Sequence, residues 1–174
     1  MSIHRKILDE LIAEYKDKEN LIGIWIFGSV VEGKERPDSD VDITIVYDKG
    51  EWELFKEERY GIKIDFEVIS KKDVNMLVNE YPYLSSLEKV KIVFDKTGFV
   101  KKAVNKLKKY REEHPEVAEF WEKEYKDMIK AKNEGKKVRN FIDVCDEAEI
   151  RFSGHHSVKR KILTKEFFHK HLKK

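Results

Sequence analysis

The chain has 174 residues, of which 40% are hydrophobic and 40% charged, and its 36 basic and 34 acidic side chains leave a net charge of only +2. Such a length can bury a core without disulfides or a structural metal, and the even charge balance argues against strong non-specific polyanion binding by the chain as a whole. The lone Cys145 excludes an intrachain disulfide and a Cys-rich zinc site, and no apolar run reaches the ~18 residues of a membrane span.

The first residues lead into a charged amphipathic segment rather than an apolar signal core, which points to a soluble protein of a reducing, cytoplasmic compartment. Glutamine is absent while Lys and Glu abound, a balance that fits a thermophile's proteome. Ile3, Ile7, Leu8, Leu11, Ile12 and Tyr15 recur at helical spacing behind a Ser2 N-cap, so residues 3–17 read as an amphipathic helix. The apolar run from Leu21 to Phe27 reads as a strand buried on both faces, with Trp25 in the core. Residues 29–40 read as irregular or as a short helix. Val41, Ile43, Ile45 and Tyr47 alternate with Asp42 and Thr44 as a second strand. Residues 51–59 favour no element. Gly61 opens a further strand from Ile62 to Ile69, Lys72 to Asn79 reads as a helix, and Val90 to Phe94 reads as a last strand before a turn at residues 95–98.

Beyond Gly98 the period changes. Val100, Ala103, Val104 and Leu107 form one helical stripe, and His114-Pro115 breaks it. Val117, Phe120, Trp121, Tyr125, Met128 and Ile129 form a second stripe, ended by Gly135. Val138, Phe141, Ile142, Cys145, Ala148 and Phe152 form a third, and residues 157–172 read as a further helix. The expected organisation is α+β: a mixed sheet with flanking helices over residues 1–97, then an all-helical domain over residues 98–174.

The chemistry concentrates between residues 28 and 42. Gly28 ends a buried strand, where the backbone can approach a ligand, and Ser29 follows where a helix would begin and backbone N–H groups would suit a phosphate. Gly33 lets the chain turn back. Asp40 and Asp42 then stand two apart at the start of the next strand, so both carboxylates share a face. Asp65 sits among apolar residues of the following strand, a costly place for an unpaired acid. If the two strands are neighbours, the three acids meet. At about 4 Å each pair would repel by roughly 4 kcal/mol at an effective dielectric of 20. A hard divalent cation, Mg²⁺ or Mn²⁺, removes that repulsion. Glu67 shares a face with Asp65 and reads first as an exposed strand residue, second as a ligand or general base.

In order and spacing, Gly28, Ser29, Gly33, Ser39, Asp40 and Asp42, followed by the apolar-flanked Asp65, resemble the signature of the DNA polymerase β-like nucleotidyltransferase superfamily. The turn Phe94-Asp95-Lys96-Thr97-Gly98 resembles the close of the core in many small members, and the likeness covers roughly residues 20–98. It implies nucleotidyl transfer, adenylyl transfer in that family's commonest form, from ATP or another nucleoside triphosphate to a hydroxyl. It further implies that Gly28 and Ser29 hold phosphates, with Gly33 and Ser39 in the same loop, that Asp40 and Asp42 bind both metal ions, and that Asp65 binds the catalytic one. Lys34 and Arg36 stand where they could neutralise triphosphate charge. Members often carry Arg and a small residue directly after Gly-Ser; this chain has Val30-Val31, and any phosphate contact from that Arg is absent.

Taken alone, Asp40 and Asp42 would also read as solvated turn residues after Pro37-Asp38, and Asp65 as the partner of a core Lys or Arg. The expected acceptor is a small hydroxyl compound or a protein tyrosine or serine. The resemblance implies a second reading, an antitoxin-like regulatory module on a helical protein partner, and a homodimer is the other expected assembly. RNA 3′-end extension is the third and least favoured, kept open by residues 151–174, which hold eight basic residues against Glu166 alone. That tail reads first as a solvated final helix. No membrane partner is expected.

Overall fold

The computed structural model describes residues 2–33, 35–80, 82–83 and 87–136. These divide into two compact units, the first running to Lys108 and the second starting at Lys109. The third and fourth helical stripes expected beyond residue 137, together with Cys145, the His155-His156 pair and the basic tail, lie outside the described residues.

Helix α1, Ile3–Tyr15, starts where expected, with the Ser2 hydroxyl accepting from the Arg5 N–H. It buries Ile7, Leu8 and Leu11. Strand β1, Leu21–Phe27, is buried at every position but its last. It runs into the four-residue helix α2, Ser29–Glu32, and then β2, Val41–Tyr47. Residues 53–59, which favoured nothing in sequence, form strand β3, Glu53–Arg59. Tyr60 and Gly61, both at positive φ, make the tight hairpin turn that such a backbone allows, and β4 follows as Ile62–Ser70. Helix α3, Lys71–Asn79, opens with a reciprocal capping box between Ser70 and Asp73. Strand β5, Lys91–Asp95, and helix α4, Phe99–Glu113, complete the part that carries the site. Helix α5, Pro115–Asn133, begins directly after His114, at the break the sequence marks.

Among the described residues the strands form one sheet in the order β3-β4-β2-β1-β5. Strand β2 pairs in parallel with β4, and the other pairings are antiparallel. Period two sends Ile24, Ile26, Ile43, Ile45, Ile64 and Phe66 to one face, where they pack with Ile7, Leu8 and Leu11 of α1. Trp25, Val46 and Ile69 turn to the other face and pack with Val74 and Val78 of α3 and Val100, Val104 and Leu107 of α4. This is why the compact front unit runs past the change of period near residue 97. Gly23 sets the spacing of α4 from the sheet: a Cβ there would meet the Val100 side chain and the Phe94 carbonyl. Among the described residues no helix is long and apolar enough to cross a membrane.

Candidate active site

Strands β1, β2, β4 and β3 bring their polar residues together at one end of the face that α3 and α4 cover at the other. In the β2–β4 register Asp42 stands opposite Asp65, and Thr44 opposite Glu67. Across the antiparallel pair, Phe27 stands opposite Asp42. On the outer side, Lys56 of β3 stands opposite Asp65. Cross-strand partners share a face, so two aspartates, a lysine and an exposed aromatic ring converge on one patch.

Asp42 is half-buried and has its proton held more tightly than usual, with its pKa pushed up from 3.8 to about 6. Burial is the main cause, followed by the negative charges of Asp65 and Asp40; Lys56 works the other way. Asp65 is half-buried too, its side chain 35% exposed, and its Oδ2 lies 2.9 Å from the Lys56 ammonium. Its Oδ1 is buried without a hydrogen-bond partner among the described residues. Asp65 thus pairs with a lysine, but with an exposed edge-strand residue and not with the core Lys or Arg considered from the sequence. Asp40, just ahead of β2, is exposed.

The chain between β1 and β2 shapes the floor of this patch. Gly28 has φ +75°, and a Cβ at this position would run into the Asp42 carboxylate. The glycine is needed both for its backbone and for the room it leaves. Ser29 opens α2 and is half-buried. Gly33, in the left-handed conformation, closes α2 by donating its N–H to the Ser29 carbonyl. Val30 and Val31 pack against the apolar cluster under α1, which gives a packing reason for apolar residues directly after Gly-Ser. Ser39 is engaged within its own loop: its Oγ accepts from the Arg36 N–H at 2.8 Å, and its N–H donates to the Arg36 carbonyl. The Arg36 guanidinium lies at the surface, 3.7 Å from Asp38. Lys34 lies outside the described residues.

Three participants were not singled out by sequence reading. His4 of α1 is buried, and its Nε2 bonds the Ser39 carbonyl at 2.8 Å, tying the loop that delivers Asp40 to the first helix. Its place at a buried position of an amphipathic helix was the available signal. Lys56 and Phe27 become visible only through strand register. Glu67 corrects the expectation of an exposed strand residue. It is half-buried one step deeper than Asp65 and accepts from the Thr44 hydroxyl at 2.8 Å. Burial raises its pKa, while Thr44 and the Trp52 indole favour the ionised form.

A cation suits this donor set. An orphaned carboxylate oxygen on Asp65 and a proton-seeking Asp42 are what a positive charge would relieve. Among the described residues no three His, Cys, Asp or Glu side chains are already closed around a common point.

A family model described as polymerase beta, nucleotidyltransferase matches residues 9–97. Among solved structures, the nucleotidyltransferase-like protein from Exiguobacterium sibiricum 255-15 aligns at 10% identity and a TM-score of 0.47, over 59% of this chain and 38% of that one. The chain therefore spans well under half of that protein's length. The comparison with curated proteins gave no match. The stretch matched by the family model is just over half of the chain and contains Gly28, Ser29, Asp40, Asp42 and Asp65, and the chain belongs to the polymerase beta nucleotidyltransferase family.

Proposed function

We propose that the chain transfers an adenylyl group from ATP to a hydroxyl acceptor, with Mg²⁺ or Mn²⁺ held by Asp40, Asp42 and Asp65. The observation that carries this reading is the Asp42–Asp65 register pair on neighbouring parallel strands, with Gly28 leaving room for one of the two carboxylates. Bound divalent cations would neutralise the acids and stabilise charge on the attacking and leaving oxygens of an in-line displacement at the α-phosphorus.

The chain's own residues do the rest. Asp42, lodged against the Gly28 backbone, is the fixed member of the set. Asp65 brings an oxygen that has no partner among the described residues. Asp40 is exposed just ahead of β2 and would complete the set by turning inward on the bound ion. Ser29 offers its hydroxyl and a backbone N–H to the triphosphate at the mouth of the Gly28 turn. The acceptor oxygen bonds to the α-phosphorus as the bond to the β-phosphate oxygen breaks. Pyrophosphate leaves, and the hydroxyl proton passes to solvent.

The test is calorimetric titration of a non-hydrolysable ATP analogue into the wild-type protein and an Asp40→Asn, Asp42→Asn double variant, with Mg²⁺ and with EDTA. Binding is expected for the wild type with Mg²⁺ only. Turnover is then read with ATP labelled at the α-phosphate across hydroxyl acceptors. A folded wild-type protein that binds none of the four nucleoside triphosphates would overturn the enzyme reading and leave the fold as a scaffold for a partner protein.

A further inference from the structure

We propose that Lys56 is a resident counter-ion of the carboxylate cluster, holding Asp65 in place until a divalent cation displaces it. This rests on the metal-binding reading above and adds a positioning residue to it. Lys56 stands opposite Asp65 in the β3–β4 register, and its ammonium lies 2.9 Å from Oδ2. The charge of Lys56 also acts on Asp42, and those of Asp40 and Asp42 act on Lys56. It contacts one of the two Asp65 oxygens. The other oxygen, Oδ1, is buried and unpartnered among the described residues.

An ammonium and a divalent cation are both positive and compete for the same carboxylate. Lys56 is built to lose that contest. It rides on an edge strand whose side chains are almost all exposed, and the lysine side chain itself is 72% exposed. It has a flexible four-carbon stem, and an exposed ion pair of this kind is weak. Its departure frees Oδ2 beside the already free Oδ1, so that Asp65 can present both oxygens. While it stays, the half-buried acids do not face one another uncompensated.

Mn²⁺ binding, followed by electron paramagnetic resonance, tests this in the wild type, Lys56→Met, Lys56→Arg and Lys16→Met. The last removes a charge from the end of α1 remote from the cluster. Lys56→Met is expected to bind Mn²⁺ tighter than wild type by up to about fivefold, the most an exposed ion pair ordinarily supplies. Lys56→Arg, which keeps the charge, and Lys16→Met are expected to bind like wild type. Melting in EDTA and in Mn²⁺ gives a second readout: Lys56→Met should melt lower than wild type in EDTA and recover in Mn²⁺. A purely structural lysine would lower melting equally in both and leave Mn²⁺ affinity unchanged or weaker, and that result overturns the proposal. Folded wild-type and Lys56→Met proteins that both fail to bind Mn²⁺ would instead overturn the metal reading on which it rests.

Discussion

Asp42 is placed against its own stability. Its carboxylate is half-buried, pressed to the Gly28 backbone and repelled by Asp65 and Asp40. The folded chain holds the proton of this group more tightly than the unfolded chain, with pKa values of about 6 and 3.8. Its contribution to stability is therefore complete below about pH 4 and is lost as the pH rises through 6. Asp42→Asn removes that loss without changing the shape of the side chain. In EDTA the variant is expected to melt a few degrees above wild type at pH 7.5, a gain of about 1 kcal/mol once solvent screening is allowed for. The two proteins should converge as the pH falls towards 4. The same variant should lose Mn²⁺ binding, so stability and ligation move in opposite directions, as they do where a site holds strain for function. A variant that melts at or below wild type across the whole pH range would remove the argument that this acid is strained in place.

At the scale of elements, the turn from β1 into α2 decides whether Asp42 has its place. Gly28 and Gly33 both have positive φ, yet a Cβ on Gly33 would meet nothing within 4 Å, while one on Gly28 would strike the Asp42 carboxylate. Gly33→Ala should therefore lose only the conformational term, about 1–2 kcal/mol, and keep Mn²⁺ binding. Gly28→Ala should lose about 1–3 kcal/mol and at least part of its Mn²⁺ affinity, because Asp42 must move. Denaturant unfolding and Mn²⁺ titration of both variants measure the contrast, and equal behaviour of the two would count against the close approach. The elements differ in how far the sequence exposes them. The ends of β1 and β2 were legible because a buried run and a strict alternation leave little freedom in period or register. Of the acids of the site, Asp42 and Asp65 lie on strands whose register sets them side by side, while Asp40 lies just ahead of β2, where period two no longer fixes its face. Strand β3 was not legible. It carries Glu53, Lys56, Glu57, Glu58 and Arg59 with Leu54 60% exposed, so no buried face imprints an alternation on it. Its partner β4 and the Tyr60-Gly61 turn define it instead. Lys56 was hidden with it, because a contact across a register cannot be read before the strand itself is known. His4 was hidden differently, as one polar residue on an otherwise apolar stripe whose partner, the Ser39 carbonyl, lies 35 positions away.

For the whole molecule, the change from strand to helix near residue 97 and the edge of the compact front unit at Lys108 are different things. Helix α4 begins after the last strand, yet Val100, Ala103, Val104 and Leu107 are buried in the core that also holds Ile22, Trp25 and Val46. Full burial of Val or Leu is worth about 1.5–3 kcal/mol each, so removing the three larger side chains forfeits roughly 5–9 kcal/mol. Removal also bares the sheet residues beneath them. A domain of this size has only about 5–15 kcal/mol in total. A fragment of residues 1–97 is therefore expected to lack a cooperative thermal transition, although it contains every residue of the carboxylate cluster. A fragment of residues 1–113 keeps all of α4 and both apolar clusters, and is expected to melt cooperatively and to bind Mn²⁺ with the affinity of the full chain. Circular dichroism melts and Mn²⁺ titration of the two fragments decide it. Cooperative melting of the shorter one would mean that α4 contributes little to the core. If the longer one folded without binding Mn²⁺, residues beyond 113 would have to take part in forming the site.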